Sequence, residues 1–473
     1  MKLHYIGLLI LLTLLGCKND YNNAESNYAY IGGEIINPNN DFVVLSKDDV
    51  VVDTIKLDNR NRFLYKITNL NNGLYTFYHG GEVQMVLLEP RDSLIFRLNT
   101  MEFDESLVFT GIGDKKNNYL INEFLENELQ ENKIFKFCQL KPEVYQNRID
   151  SLKLLKLNKL KEFKRKYKSS PLFDKIAQAN INYIYYSSKE VYPFVHFGGD
   201  KEKILESLPV NFYDYRKDIN YNDEFLKDYQ YYNSFLRYSV NNLALKNHLY
   251  HGNEDSFNWN SICYNLDRLN LIDSLVSNTL LKEELLYHFT SNFVSKSSNT
   301  ENNNVLLHLY LSKSNDANNK SKLTRFATSL NNLKVGSAFP STQIIDSNNA
   351  EFEINKLLKS PTVICFWSRS YFDHFKESHY KISELKLKYP EIKFIMINID
   401  NNGLNNFKMS LKENRFDFKD EYQFKTPLES VEALAIQPIT KTIIVDKYQK
   451  IANNNTNIFS VKFEEQLLCA INR

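Results

Sequence analysis

The side chains best suited to redox or metal chemistry in this 473-residue sequence are its five cysteines. A thiolate can attack a disulfide or bind a metal ion. The first function usually needs a second cysteine, and the second needs further ligand residues, nearby in the sequence. No two cysteines here form a CxxC pair or a metal-ligand spacing. They are Cys17, Cys138, Cys263, Cys365 and Cys469. We therefore predict no metal site and no cofactor, and we expect Cys365 and Cys469 to be buried thiols.

Histidines offer one further candidate for metal chemistry. The candidates Asp373, His374, Glu377 and His379 lie in one predicted helix. Five residues correspond to about 500° of rotation at 3.6 residues per turn, so the two histidine side chains point in different directions. We interpret them as a surface histidine cluster. The sequence also lacks an HExxH helix, a phosphate-binding loop and a nucleophile elbow.

The N-terminus has the features of an export signal. An apolar run, Tyr5–Leu15, follows Lys2 and is too short to span a bilayer, which takes about 20 residues. It ends in Leu-Leu-Gly before Cys17, which resembles the lipobox of bacterial lipoproteins. That resemblance implies removal of residues 1–16 as a signal peptide and lipidation of Cys17. An ordinary signal peptide with a chance cysteine is the alternative.

The same resemblance implies a location in the cell envelope. Several acyl chains would anchor the protein in a membrane, because each buried CH₂ contributes about 0.8 kcal/mol. Lys18 stands where an aspartate would suggest retention at the inner membrane, so we favour the outer membrane, on either face. The formal net charge of +1 argues against a nucleic-acid partner.

Residue patterns after the signal peptide predict a multidomain α+β protein. Residues 17–27 are polar and are interpreted as a lipid-anchored tether. Residues 28–115 contain β-branched and aromatic runs between turns, which predict an antiparallel β-sandwich. Residues 116–332 have helical periodicity and predict a central helical region. Residues 333–473 alternate strand, helix, strand, helix, hairpin and helix, which predicts a three-layer α/β domain. Its first three predicted elements are the strand Pro361–Trp367, the helix Phe372–Tyr389 and the strand Ile392–Asp400.

Short motifs in the predicted β-sandwich resemble a domain of unknown function. That domain precedes thioredoxin-like domains in Bacteroidetes lipoproteins, and the resemblance implies no chemistry. The motifs are Gly32-Gly33, Leu88-Glu89-Pro90, Asp92-Ser93 and Phe109-Thr110-Gly111-Ile112-Gly113.

Four segments of the last region resemble landmarks of membrane-anchored thioredoxin-like proteins of the TlpA/ResA type. They are LKVGSAFPS, VICFWS, IKFIMINID and TIIVDKYQKI. The resemblance covers about Leu333 to Arg473 and implies a thioredoxin-like domain. Proteins of this type exchange thiols and disulfides through a CxxC motif at the start of the first long helix.

The two positions where the resemblance places those cysteines hold other residues in this chain. Counting from Phe366-Trp367, they are Tyr371 and His374. A phenol and an imidazole cannot form a reversible disulfide, which needs two sulfur atoms. The helix start itself is expected to remain, because Ser370 and Asp373 fit a capping box.

A second departure concerns the cis-proline that faces the CxxC motif in this family. Alignment back from Asp446 places Thr440 there, and Pro438 stands two residues earlier. Either the loop is remodelled or the proline is lost. Both alternatives weaken recognition of a substrate disulfide.

Three functions are compatible with these residues. We favour a non-redox binding or scaffold protein of the bacterial envelope, which contacts a protein or peptide partner in a groove or, alternatively, through the helical region. The groove positions are Trp367, Tyr371, His374 and Thr440. The first alternative is a thiol-disulfide oxidoreductase of the TlpA/ResA type that uses a non-standard cysteine. The second is a lipoprotein that handles glycans or nutrients through its β-sandwich.

Overall fold

The computed structural model of the protein describes residues 27–471 except 49, 253–256 and 298. Within them the chain is mixed α/β. They form two compact units, one of residues up to 133 together with 154–179, the other of 134–153 together with 180 onward. Cys17, the signal peptide and nearly all of the tether lie outside the described residues. The predicted domain boundaries stay predictions.

The strands of the first unit form a β-sandwich. Two four-stranded sheets have the orders β4-β1-β7-β8 and β3-β2-β5-β6. Both contribute to one hydrophobic core, in which Phe77 and Phe96 stack with ring centroids 4.9 Å apart. The strands are β1 (Tyr28–Ile36), β2 (Phe42–Lys47), β3 (Val50–Lys56), β4 (Arg62–Thr68), β5 (Gly73–His79), β6 (Glu82–Leu88), β7 (Ser93–Asn99) and β8 (Val108–Ile112).

One pairing in this sandwich differs from the antiparallel arrangement predicted. β1 and β7 are parallel, whereas the other pairs of the two sheets are antiparallel. A parallel pair needs a crossover connection, and here the chain between β1 and β7 supplies it by forming β2 to β6. The crossover joins strands distant in sequence, so local patterns could not reveal its direction.

Helices follow from residue 114 to residue 332. Several begin with side chains that satisfy free backbone N–H groups: Ser261, Asn278 and Asp316 each accept a hydrogen bond from the amide three residues later. No helix in the described part of the chain is both long and apolar enough to cross a membrane. Their bounds are Asp114–Phe137, Pro142–Lys166, Pro171–Val195, Lys201–Glu206, Gln230–Leu249, Ile262–Leu275, Thr279–Lys296, Thr300–Lys313 and Ala317–Asn332.

The C-terminal part contains a seven-stranded sheet of order β10-β9-β13-β12-β11-β14-β15. β11, β12 and β13 are parallel, and β14 runs antiparallel to β11. The strands are β9 (Gln343–Asp346), β10 (Glu351–Glu353), β11 (Thr362–Trp367), β12 (Lys393–Asn398), β13 (Glu421–Phe424), β14 (Thr442–Val445) and β15 (Ile451–Thr456). The accompanying helices are Phe372–Lys388 (the motif helix), Leu404–Glu413, Pro427–Ala433 and Phe463–Ile471.

Both faces of this sheet are covered. Ile364 and Phe366 of β11 belong to one hydrophobic cluster, whereas Val363, Cys365 and Trp367 belong to another. Successive side chains of a strand point to opposite faces, so an uninterrupted apolar strand fits a sheet buried on both sides. The predicted three-layer α/β arrangement is therefore confirmed for this region, but strand β13 and the helix Pro427–Ala433 were not predicted.

Candidate binding site at the start of the motif helix

β11 ends at Trp367, whose side chain lies in the core. Its indole Nε1 donates a hydrogen bond to Glu421 Oε2 at 3.1 Å, and its ring packs against Phe375 at 4.6 Å between centroids. Trp367 is fully buried. Trp367 therefore supports the helix from the core, and the prediction that it lines an exposed groove was wrong.

Glu421 also faces a histidine of the motif helix. His379 Nε2 lies 3.2 Å from Glu421 Oε1, and both side chains are buried. Burial raises the pKa of Glu421, and the neighbouring His379 and Trp367 partly oppose that shift. The interpretation of His379 as part of a surface cluster was wrong, because this residue faces the sheet and stacks on Phe416.

The loop between β11 and the motif helix is held by Asp400, which follows β12. Ser368 Oγ donates a hydrogen bond to Asp400 Oδ1, and the backbone N–H of Arg369 donates to Oδ2 at 2.8 Å. Ser370 N–H in turn donates to Ser368 Oγ at 3.1 Å. These bonds fix the position of the residues that precede the helix.

The motif helix starts at Phe372, as its sequence predicts, but it lacks the predicted cap. Tyr371 occupies the N-cap position without a side-chain hydrogen bond, so the predicted capping box of Ser370 and Asp373 was wrong. The hydrogen bond of Ser370 to Ser368 comes from its backbone N–H. Asp373 does lie in the first turn, where a negative charge interacts favourably with the helix dipole.

Three exposed aromatic side chains and the half-buried His374 lie at or beside this helix start, and we call these four residues the aromatic tip. Tyr371 is 58% exposed, and Phe372 and Phe459 are each 39% exposed. His374 lies beside Phe459, with ring centroids 5.9 Å apart. Burial, and secondarily His379, lowers the pKa of His374, so its imidazole is neutral at neutral pH. The tip thus combines apolar rings with a neutral donor and acceptor.

The loop before β14 contains a cis peptide bond between Gln437 and Pro438. The cis-proline is therefore present, two residues before the position that the alignment expected, and Thr440 is half-buried. Lys441 lies below the loop and donates hydrogen bonds to the carbonyl oxygens of Leu434 and Ala435, both at 3.0 Å. Burial lowers the pKa of Lys441 to about 7.

The two cysteines of this region occupy different environments. Cys365 is buried in β11, its sulfur lies 3.7 Å from Thr442 Oγ1, and burial raises its pKa to about 12. Cys469 was expected to be buried but is exposed, because it lies on the outward face of the last helix, between the buried Leu467 and Ala470. Neither residue belongs to the aromatic tip.

Several residues that shape this site were not predicted. Glu421 belongs to a strand that was missed, and Lys441 has no distinguishing neighbours in the sequence. Asp400 had one usable signal, since it ends the predicted strand IKFIMINID. A cleft of about 630 Å³ lies elsewhere, lined by residues of β9, β10 and the helix Leu404–Glu413.

No family model and no curated protein matches this chain. Solved structures match part of it. A proposed thiol-disulfide oxidoreductase from Bacteroides vulgatus is 15% identical over 29% of this chain and 98% of its own, with a TM-score of 0.26. A proposed electron transfer protein from Aquifex aeolicus is 20% identical over 30% of this chain and 100% of its own, also with a TM-score of 0.26.

A third match is the thioredoxin domain of a thiol-disulfide oxidoreductase from Bacteroides vulgatus. It is 19% identical over 25% of this chain and 86% of its own, with a TM-score of 0.23. At these scores neither family membership nor activity follows. The chain is similar over about 29% of its length to thioredoxin-like thiol-disulfide oxidoreductases.

Proposed function

We propose that this chain is a lipid-anchored protein of the bacterial cell envelope that binds a protein or peptide through the aromatic tip, without thiol chemistry. The carrying observation is the exposure of Tyr371 and Phe372 at one helix start, with the exposed Phe459 beside His374 of the first turn. Aromatic side chains supply large contact areas at low entropic cost and are enriched at binding interfaces.

The chemistry of the neighbouring residues agrees with binding rather than catalysis. The tip offers two phenylalanines, a phenol and a neutral imidazole, none of which can exchange a disulfide. Cys365 remains a thiol at neutral pH because its pKa is about 12, and it has no access to solvent. Cys469 lacks a partner cysteine at CxxC spacing.

Site-specific photo-crosslinking in the native envelope tests the binding proposal. A photoreactive phenylalanine replaces Tyr371 in one variant and Tyr448 in a matched control, because the two tyrosines are similarly exposed at 58% and 66%. We expect a discrete crosslinked species from position 371 alone. The same crosslinking pattern from both positions would refute a specific interface at the tip.

An insulin-reduction assay tests the alternative oxidoreductase. We expect no turnover above the uncatalysed rate. Turnover that is lost in Cys469→Ser or Cys365→Ser would instead establish a non-standard cysteine mechanism. The alternative in which the β-sandwich handles glycans or nutrients predicts that the protein binds such a ligand saturably. Substitution of Tyr371 would leave this binding unchanged.

A further inference from the structure

Two consecutive helices of the central region, Gln230–Leu249 and Ile262–Leu275, bring four metal-ligating side chains together. They are His248, His251, Cys263 and Asp267. His248 lies in the last turn of the helix Gln230–Leu249, and His251 follows the end of that helix. The other two are four residues apart, so they share one face of the next helix. Among the described residues this is the one such group, and its four ligand atoms lie within 4.8 Å of one another.

The distances within this group are close to those around a metal ion. Cys263 Sγ lies 3.4 Å from His251 Nδ1, and Asp267 Oδ2 lies 3.1 Å from His251 Nε2 and 3.5 Å from His248 Nδ1. A tetrahedral zinc ion with bonds of about 2.0–2.3 Å holds its ligand atoms roughly 3.3–3.7 Å apart. His251 now lies between Cys263 and Asp267, and a rotation of its ring directs one nitrogen to the common centre.

An independent observation also indicates a cation. His248 is only 3% exposed, yet its Nδ1 makes no hydrogen bond, and neither does the buried Oδ2 of Asp267. Buried polar atoms without partners are uncommon and cost about 1–3 kcal/mol each. A cation between the two atoms would satisfy both of them at once.

We propose that these four side chains bind one divalent cation of the zinc class. A thiolate and a carboxylate together cancel the two positive charges, and nitrogen, sulfur and oxygen are the ligands that zinc prefers. Four protein ligands leave no open position, so the site is structural. The ion fastens the end of one helix to the start of the next.

The surroundings fit such a site. Leu245 and Tyr264 are buried next to it in an apolar cluster, which limits access of water to the metal–ligand bonds. Gly252 lets the backbone pass directly against His248, because a Cβ there would lie 2.9 Å from the imidazole ring. The neighbouring cation, Arg268, donates to Asn241 Oδ1 at 2.9 Å.

Metal analysis of the purified full-length protein in detergent tests the proposal. After chelation, titration with Co²⁺ is expected to saturate at one equivalent, with d–d bands in the visible region and a thiolate-to-cobalt charge-transfer band. Zn²⁺ displaces the Co²⁺. Cys263→Ser loses the charge-transfer band, and His251→Gln weakens zinc binding by ~100-fold or more, since even outer-shell changes cost 10–100-fold.

Matched controls replace residues of the same types elsewhere. Cys469→Ser and His308→Gln change exposed positions and are expected to bind the metal like the unsubstituted protein. The His251 side chain is 49% exposed, so His251→Gln is expected to keep the fold and the melting temperature measured in chelator, while losing the increase that zinc produces. The proposal is overturned if the protein does not bind zinc saturably. It is also overturned if Cys263→Ser and His251→Gln bind zinc as tightly as the unsubstituted protein.

Discussion

At the scale of single residues, we expect substitution of the buried Glu421 to lower the stability of the thioredoxin-like region. Its carboxyl group accepts from Trp367 and faces His379, and it is only 4% exposed. Glu421→Ala leaves both partners unpaired in the core, which typically costs about 3 kcal/mol or more. Glu421→Gln retains an acceptor for the indole and is expected to cost less.

Urea denaturation measures this difference. Glu391→Ala, at an exposed position of the same region, is the matched control and is expected to change the free energy of unfolding by under ~0.5 kcal/mol. Equal midpoints for Glu421→Ala and Glu391→Ala would show that the buried contacts do not stabilise the fold.

Lys441 is expected to make stability depend on pH. Burial lowers its pKa from 10.5 to about 7, so above pH 7 the unfolded chain binds more protons than the folded chain. Stability therefore rises with pH, and this one group adds about 2 kcal/mol between pH 7 and pH 9. Lys441→Met removes this contribution, so its free energy of unfolding is expected to rise less between pH 7 and pH 9 than that of the unsubstituted protein. Denaturation at both pH values measures the difference.

The control for this effect is Lys462→Met, which changes an exposed lysine of the same region. Its pH profile is expected to follow that of the unsubstituted protein. If the free energy of unfolding rises equally steeply with pH in Lys441→Met and in the unsubstituted protein, the Lys441 amine is solvated in the folded chain.

At the scale of elements, the start of the motif helix is placed to stabilise a thiolate. Position 371 is the N-cap and position 374 lies in the first turn, where the helix dipole stabilises a thiolate. We expect the double variant Tyr371→Cys, His374→Cys to form a reversible disulfide and to reduce insulin. Thiol titration before and after reduction detects the bond.

The pair Tyr380→Cys, Ser383→Cys tests whether position matters. These exposed residues have the same spacing in the middle of the same helix, where side chains three residues apart stay about 5–6 Å apart, too far for a disulfide. We expect no disulfide there. Failure of the 371/374 pair to oxidise would mean that this helix start is not the counterpart of a CxxC site.

At the scale of the whole molecule, attachment to a membrane depends on Cys17 in the proposed function. We expect Cys17→Ser to abolish incorporation of labelled palmitate and to move the protein from the membrane fraction to the soluble fraction. Cys469→Ser, which removes an exposed thiol far along the chain, is expected to change neither. Unchanged palmitate labelling of Cys17→Ser would contradict the lipobox interpretation.

The sequence by itself determined the elements with strong local patterns and the identity of the residues at the helix start. The strand ending at Trp367, the motif helix and the strand Lys393–Asn398 were predicted within two residues, because apolar periodicity and turn residues are local properties. That positions 371 and 374 hold a tyrosine and a histidine, neither of which carries a sulfur atom, is likewise readable from the order of residues alone.

The tertiary structure alone decided which distant side chains meet. Glu421 reaches Trp367 across 54 residues because a short strand, missed in the sequence, pairs with β12. His251 and Cys263 approach each other only because two helices turn back on one another. Such contacts arise from strand pairing and helix packing, which no local pattern of residue types records.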